Sequence, residues 1–171
     1  MTPESESPAP RGPALPVPLT SFVGRERELA AVRARLRDPG VRLLTLTGPG
    51  GGGKTRLALQ AARDPDRGGR FADGVWFAGL AALADAALVP QGIATALGVR
   101  EEAGRPLLET VQEALRPRRL LLVLDNCEHL VDACARVAEA LLGACPGLTI
   151  LATSREAVSY THLTLPTILL V

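Results

Sequence analysis

The sequence predicts an α/β fold, a parallel sheet with helices on both faces, and three observations predict it. Short apolar runs alternate with helix-forming stretches from residue 42 to residue 153, the order expected of strand–helix–strand units. The runs lack the polar–apolar alternation of a half-exposed strand, so both faces of the sheet should be covered. Finally, Gly48-Pro49-Gly50-Gly51-Gly52-Gly53-Lys54-Thr55 joins the first apolar run to the helix behind it, and a strand–glycine loop–helix unit of this pattern cradles phosphate. A chain of 171 residues accommodates about one such domain.

The elements follow in order. Residues 1–19 read as a disordered or polyproline-like leader, since Met1 to Thr20 holds six of the fourteen prolines and few large apolar residues. It lacks the charged-then-apolar layout of a secretory signal. The folded domain is expected over residues 20–157. A helix should run from about Arg25 to Arg37, where Leu29, Val32 and Leu36 share one face and Asp38-Pro39-Gly40 stops it. Arg42 to Thr47 is the first strand, and Lys54 to Arg63, free of Gly and Pro, is the helix behind the loop. Asp64 to Gly69 is a turn-rich break. Gly74 to Ala78 reads as the second strand, followed by helices over Ala84 to Leu97 and Leu107 to Leu115, the latter with Leu108, Val111 and Leu115 on one face. Leu120 to Asp125 is the third strand. Leu130 to Leu142 is an amphipathic helix stopped by Cys145-Pro146-Gly147, and Leu148 to Thr153 is the fourth strand.

The glycine loop carries the chemistry. The chain has eighteen arginines and one lysine, and that lysine is Lys54. A compact ammonium on a flexible stem curls over a tight loop and meets phosphate oxygens as a point charge, where the broad guanidinium fork does not fit. Glycines let backbone N–H groups turn inward, and the N-terminus of the following helix adds partial positive charge. Thr55 offers a hydroxyl to Mg²⁺, an ion that keeps most of its ligands as water and phosphate oxygen. A second requirement is a carboxylate near that ion. Asp125 closes the apolar run Leu120 to Leu124 and so belongs at the C-terminal edge of the sheet, where open parallel sheets bind ligands. Thr153-Ser154-Arg155 follows the fourth strand in the same way, which brings Arg155 toward a terminal phosphate.

Composition excludes other classes. With 47% apolar and 22% charged residues the chain is an ordinary globular one, and a net charge of +1 gives no basic field for nucleic acid or membrane. Arg116-Pro117-Arg118-Arg119 reads as a solvated corner. Aromatic residues at 3% argue against base-stacking platforms. Cys127, Cys134 and Cys145 lack C-x-x-C spacing and read as reduced thiols of a cytoplasmic protein, with Cys127 a buried structural thiol rather than a redox centre. His129 and His162 are too few and too far apart for a metal site. No apolar run approaches membrane-spanning length.

Four stretches in this order, Phe22-Val23-Gly24-Arg25-Glu26, Leu46 to Ala58, Leu122-Val123-Leu124-Asp125-Asn126-Cys127-Glu128-His129-Leu130 and Ala152-Thr153-Ser154-Arg155-Glu156, closely resemble the NB-ARC-like STAND NTPases of large LuxR-type and antibiotic-regulatory bacterial transcription factors. The resemblance covers Leu19 to Ala157. It implies a three-layer P-loop NTPase sandwich whose fourth strand inserts between the first and third. It implies that Val23, Gly24 and Arg25 sit beside adenine and ribose, and that Gly48, Gly50, Gly51, Gly52, Gly53, Lys54, Thr55 and Arg56 form the phosphate-binding set. Thr55 and Asp125 would hold Mg²⁺, Asp125 through water, and Arg155 would sense the γ-phosphate, with Lys54 and Asp125 beside it at the reacting end. It further implies a switch in which ADP holds a closed form and ATP opens and oligomerises it, with DNA engaged only through a further C-terminal domain.

The chain departs from the family pattern at Gly52, where an apolar residue, often Val, is usual; the extra backbone freedom of glycine weakens nucleotide binding. The family's further strand, helical lid and winged helix do not follow, so an incomplete sheet with an uncovered edge is expected. Two other activities fit a P-loop, a motor-type ATPase and a small-molecule kinase. Asn126 stands where many fast ATPases carry a water-orienting Glu, and an amide is a poor base; Glu128 substitutes only if the turn points it inward. No acceptor pocket or Arg-bearing lid for a kinase is evident.

Residues 158–171 depart from the Ala-, Leu-, Arg- and Gly-rich composition of the rest. The run Val158-Ser159-Tyr160-Thr161-His162-Leu163-Thr164-Leu165-Pro166-Thr167 matches in order the translation of a transposase sequencing adapter, GTC TCT TAT ACA CAT CTG ACG CTG CCG ACG. These residues are expected to be a non-native tail.

Overall fold

Alternate residues of every inner strand enter opposite cores, and this parity builds three layers. The computed structural model describes residues 15–17, 23–64 and 69–155 and the backbone of residues 167–169. Within them β1 (Leu43–Thr47), β2 (Val75–Gly79), β3 (Leu120–Asp125), β4 (Leu148–Ser154) and β5 (Thr167–Leu169) form one parallel sheet in the order β2-β3-β4-β1-β5. β4 thus lies between β1 and β3, as the resemblance implies. On one face Leu43, Leu120, Leu122, Leu124, Ile150 and Ala152 pack beneath α3 (Val89–Leu97), α4 (Leu107–Leu115) and α5 (Val131–Ala144). On the other, Leu44, Leu46, Leu121, Val123 and Leu151 pack beneath α1 (Glu26–Arg37) and α2 (Lys54–Ala62). β1, β3 and β4 are buried along their whole length, which explains their unbroken apolar sequence.

Two expectations are corrected. Helix does not begin at Ala84: Asp85 caps a 3-10 turn over Ala86–Leu88, its carboxylate accepting the Ala87 N–H at 2.8 Å, and α3 starts at Val89. Pro90 lacks the N–H needed inside a helix and is accommodated in the first turn. The edge of the sheet beyond β1 is also not open throughout, because β5 pairs with Thr45–Thr47. An edge of unpaired N–H and C=O groups favours any β-prone segment within reach, and Thr-Ile-Leu is one.

Of the leader, residues 15–17 are described: Leu15 packs against the α1–α2 core, and the Arg63 guanidinium donates to the carbonyls of Leu15 and Pro16. Residues 1–14, 18–22, 65–68, 156–166 and 170–171 lie outside the described residues, Phe22 and His162 among them. Among the described residues no helix is long and apolar enough to cross a membrane.

Candidate functional site

Parity also sets the site. In β3, Leu121 and Val123 face α2, so Asp125 at the strand end does as well; in β4, Leu151 faces α2, and Thr153 follows. α2 begins at Lys54, after the loop of residues 48–53 that follows β1, and its first turn reaches this strand edge through Thr55. Thr55 Oγ1 donates to Asp125 Oδ1 at 2.7 Å, and Thr153 Oγ1 donates to the same oxygen at 2.6 Å. The Asn126 N–H donates in turn to Thr153 Oγ1 at 3.1 Å. Asp125 is 4% exposed and Thr153 1%, so these hydrogen bonds are made where water competes little.

The glycine loop lies over the end of β1. Gly51 and Gly53 adopt φ +74°, in the left-handed region open to glycine, and Gly53 starts α2. The Lys54 ammonium is buried at 7% exposure and donates to the carbonyls of Gly48 at 2.9 Å and Pro49 at 2.8 Å. Pro49 O also accepts the Gly52 N–H at 3.1 Å. A Cβ on Gly52 would stand 2.9 Å from that same carbonyl, so glycine here has a steric as well as an entropic meaning. Arg56 is half-buried on the first turn of α2.

Two arginines flank the loop. Arg25, at the N-cap of α1, brings its guanidinium to Gly53, with Nη1 3.8 Å from where a Cβ would be, and Nη1 is buried without a hydrogen-bond partner. Gly24 turns the chain at φ +87°, its N–H bonded to Glu26 Oε1, and Val23 is 79% exposed. Arg155, from the end of β4, lays its guanidinium against Gly50 on the other side of the loop. Its Nε lies 3.8 Å from Glu128 Oε1.

The structure therefore brings together Gly48 to Thr55, Asp125, Arg25 and Arg155, residues spread over more than a hundred positions. Reasoning from sequence sets Thr153 on this edge without a partner; the signal lies in the polar residue closing β4 beside the acid closing β3. The pairing of Glu128 with Arg155 escapes sequence reasoning, because it takes both the turn at Asn126, φ 61°, and the adjacency of β3 and β4 to bring the two side chains together. The cysteines are buried free thiols: Cys127 Sγ faces Leu124 O at 3.7 Å, and Cys145 Sγ faces Gln112 O at 3.4 Å. The hydrogen bond with Cys134 and burial push the Cys127 thiol well above its ordinary range, which suits a structural thiol rather than a nucleophile. His129 Nε2 lies 2.8 Å from Leu83 O. Among the described residues no three His, Cys, Asp or Glu side chains gather as metal ligands.

The profile of the NB-ARC domain family matches residues 25–162. The uncharacterized protein Rv0894 of Mycobacterium tuberculosis is 47% identical over 140 residues, covering 82% of this chain and 35% of that protein. Rv0890c of the same organism, which carries the name of an HTH-type transcriptional regulator, is 48% identical over 117 residues, covering 68% of this chain and 13% of that protein. The chain thus spans about a third or less of the length of these relatives. Among solved structures, the STAND protein PH0952 of Pyrococcus horikoshii, with a tetratricopeptide repeat sensor, superposes with a TM-score of 0.55 at 17% identity over 93% of this chain and 24% of that one. Drosophila ORC bound to DNA gives 0.61 at 16% identity, over 87% and 43%. At such identities these structures bear on the fold alone.

Proposed function

We propose, from the premise that this chain belongs to the NB-ARC domain family, that it is the ATP/ADP-binding switch module of a larger signalling ATPase. The observation that carries the reading is the convergence of the glycine loop, Thr55 and Asp125 at the C-terminal edge of the sheet, sealed by the 2.7 Å hydrogen bond between the last two. Lys54, Thr55 and the loop amides hold the β- and γ-phosphates; Val23, Gly24 and Arg25 flank the adenine and ribose. Arg25 suits a further anion, since its buried Nη1 lacks a partner beside Gly53. A phosphate oxygen supplies the acceptor such a buried donor requires.

Mg²⁺ fits the donor set. A hydroxyl and one carboxylate are hard oxygen ligands, too few to cage an ion alone, and Mg²⁺ characteristically completes its shell with water and phosphate. Thr55 and Asp125 would hold it, Asp125 through water, and the ion would neutralise charge on the phosphate oxygens. The chain's own contribution is orientation: Thr153 and Thr55 both donate to Oδ1 of Asp125 and so fix the carboxylate through that one oxygen. Asn126 supplies no base beside Asp125, so hydrolysis is slow and the nucleotide acts as a state marker. The name carried by Rv0890c supports a transcriptional regulator whose DNA-binding part lies elsewhere in the whole protein. A cytoplasmic location accords with the buried free thiols, and assembly of copies belongs to the ATP state.

Calorimetric titration of the folded protein with ADP and ATP in the presence of Mg²⁺ tests the reading. Measurable affinity should fall about a hundredfold in Lys54→Ala, the worth of a charge-assisted contact. Release of many phosphates per second would favour the motor-type ATPase, and absence of nucleotide affinity in folded protein would end the proposal.

A further inference from the structure

We infer that Glu128 is a positioning residue that tethers Arg155 over the glycine loop, releasing it to the terminal phosphate of a triphosphate but not to a diphosphate. The inference rests on the nucleotide-binding reading above and adds to it a residue that sets the ATP-to-ADP preference.

The geometry begins at Asn126. Its left-handed backbone, φ 61° and ψ 54°, reverses the chain after β3 and starts the 3-10 turn Cys127–His129. Asn is among the few side chains that tolerate this conformation. The reversal brings Glu128 beside Arg155 with its side chain 24% exposed. Oε1 lies 3.8 Å from Arg155 Nε, and Oε2 is buried without a hydrogen-bond partner. A carboxylate so placed depends on the cation beside it.

Arg155 is held against Gly50 by the same arrangement. A Cβ on Gly50 would meet Nη2 at 3.0 Å, Cζ at 3.3 Å and Nε at 3.4 Å. Gly50 has no left-handed φ, so what its missing Cβ provides is room for this close approach; a side chain there would push the guanidinium back by a few tenths of an ångström. The cation therefore lies against the glycine loop at Gly50 and is already charge-paired.

Relative strengths decide what happens next. An ion pair of 3.8 Å with Arg155 64% exposed is weak. A terminal phosphate offers three strong acceptor oxygens and about two negative charges, and Arg binds it in a fork. The phosphate wins, but Glu128 is then left unpaired near a like charge. Triphosphate binding bears that cost, whereas a diphosphate leaves the pair intact. Removing the carboxylate should thus favour the triphosphate selectively.

A double-mutant cycle reads this directly. The intact chain, Glu128→Gln, Arg155→Ala and the double variant are titrated with Mg²⁺ and either ADP or a non-hydrolysable ATP analogue. Thermal melts check folding, and ADP affinity serves as the internal reference. Glu128→Gln should raise the ratio of analogue to ADP affinity by about three- to tenfold, and the gain should shrink in the Arg155→Ala background, where only the repulsion between Glu128 and the phosphate remains. Glu128→Asp, which keeps the charge and shortens the reach, should give part of the gain and keeps the test open if the Gln variant unfolds. An equal gain with and without Arg155 would mean simple repulsion and overturn the tether, as would no gain or a loss. If the intact chain binds neither nucleotide, the functional reading fails first; if it binds ADP and the ratio does not move, the tether alone fails.

Discussion

Thr153 and Asp125, at the ends of adjacent strands β4 and β3, are joined by a 2.6 Å hydrogen bond from the threonine hydroxyl to Oδ1 of the carboxylate. The same hydroxyl accepts the N–H of Asn126, so one buried side chain ties the Asp125 carboxylate to the backbone turn that follows it. Thr153→Val keeps the shape and removes both bonds. It should destabilise the protein by about 1–3 kcal/mol, the cost of leaving buried polar groups unpaired. Thr153→Ser should recover most of that loss. Denaturant unfolding measures the first effect. The Mg²⁺ dependence of nucleotide affinity should weaken in the Val variant and recover in the Ser variant, which a purely structural role does not require.

The loop predicts a second outcome. Pro49 O accepts from both Gly52 N–H and the Lys54 ammonium, and a Cβ at Gly52 would press on that carbonyl from 2.9 Å. Gly52→Val therefore forces the ligand-free loop to shift, at about 1–3 kcal/mol. The backbone freedom lost by glycine works the other way once the loop closes on phosphate. Thermal melts should show a larger stabilisation by saturating ADP in Gly52→Val than in the intact chain. Equal melting points for the two proteins without nucleotide would contradict the steric argument.

Much of this is legible from sequence, and the failures have physical causes. β1, β3 and β4 are readable because strands buried on both faces leave unbroken apolar runs, and Asp125 because a single acid closes one of them. The start of α3 is misleading because Ala84 to Leu88 has helix-forming composition, while the cap at Asp85 and the position of Pro90 decide the boundary. Gly147 looks like a helix stop, yet a Cβ there would collide with the Arg118 carbonyl, a tertiary contact that no local pattern encodes. The pairing of Glu128 with Arg155 likewise depends on the adjacency of β3 and β4. Periodicity reports faces, not which side chains meet at an edge.

The buried thiols set an alkaline limit. The hydrogen bond with Cys134, then burial, with the carboxylates of Asp125 and Glu128 adding, hold the Cys127 thiol above its ordinary value. Burial raises Cys145 as well, against the opposing pull of Arg116 and Arg42. A raised folded-state pKa favours the protonated form, so its contribution is complete below the unfolded value of about 8.5 and is lost as pH climbs above it. The same hydrogen bond lowers the Cys134 thiol, which opposes Cys127, so the Cys145 thiol, raised by burial, gives the clean test. Its contribution should be lost between about pH 8.5 and 10, with a shallower decline of stability in Cys145→Ala. Urea midpoints across that range check the slope; an unchanged slope would remove Cys145 as its source.

The last prediction concerns the strand that closes the sheet. β5 is built from Thr167–Leu169, and Thr167 is the final residue of the ten that match the adapter translation. A β1 edge carrying Thr45, Leu46 and Thr47 offers unpaired backbone groups to any β-prone tripeptide, so pairing there does not require that the tripeptide be native. Resequencing the source locus should find a reading frame that diverges after Ala157 and supplies a different β-prone run to lie along β1. Removing residues 158–171 from the present chain should expose that edge and promote self-association, measurable by light scattering. An intact locus that reads through the same ten codons would make the tail native and β5 part of the inherited fold.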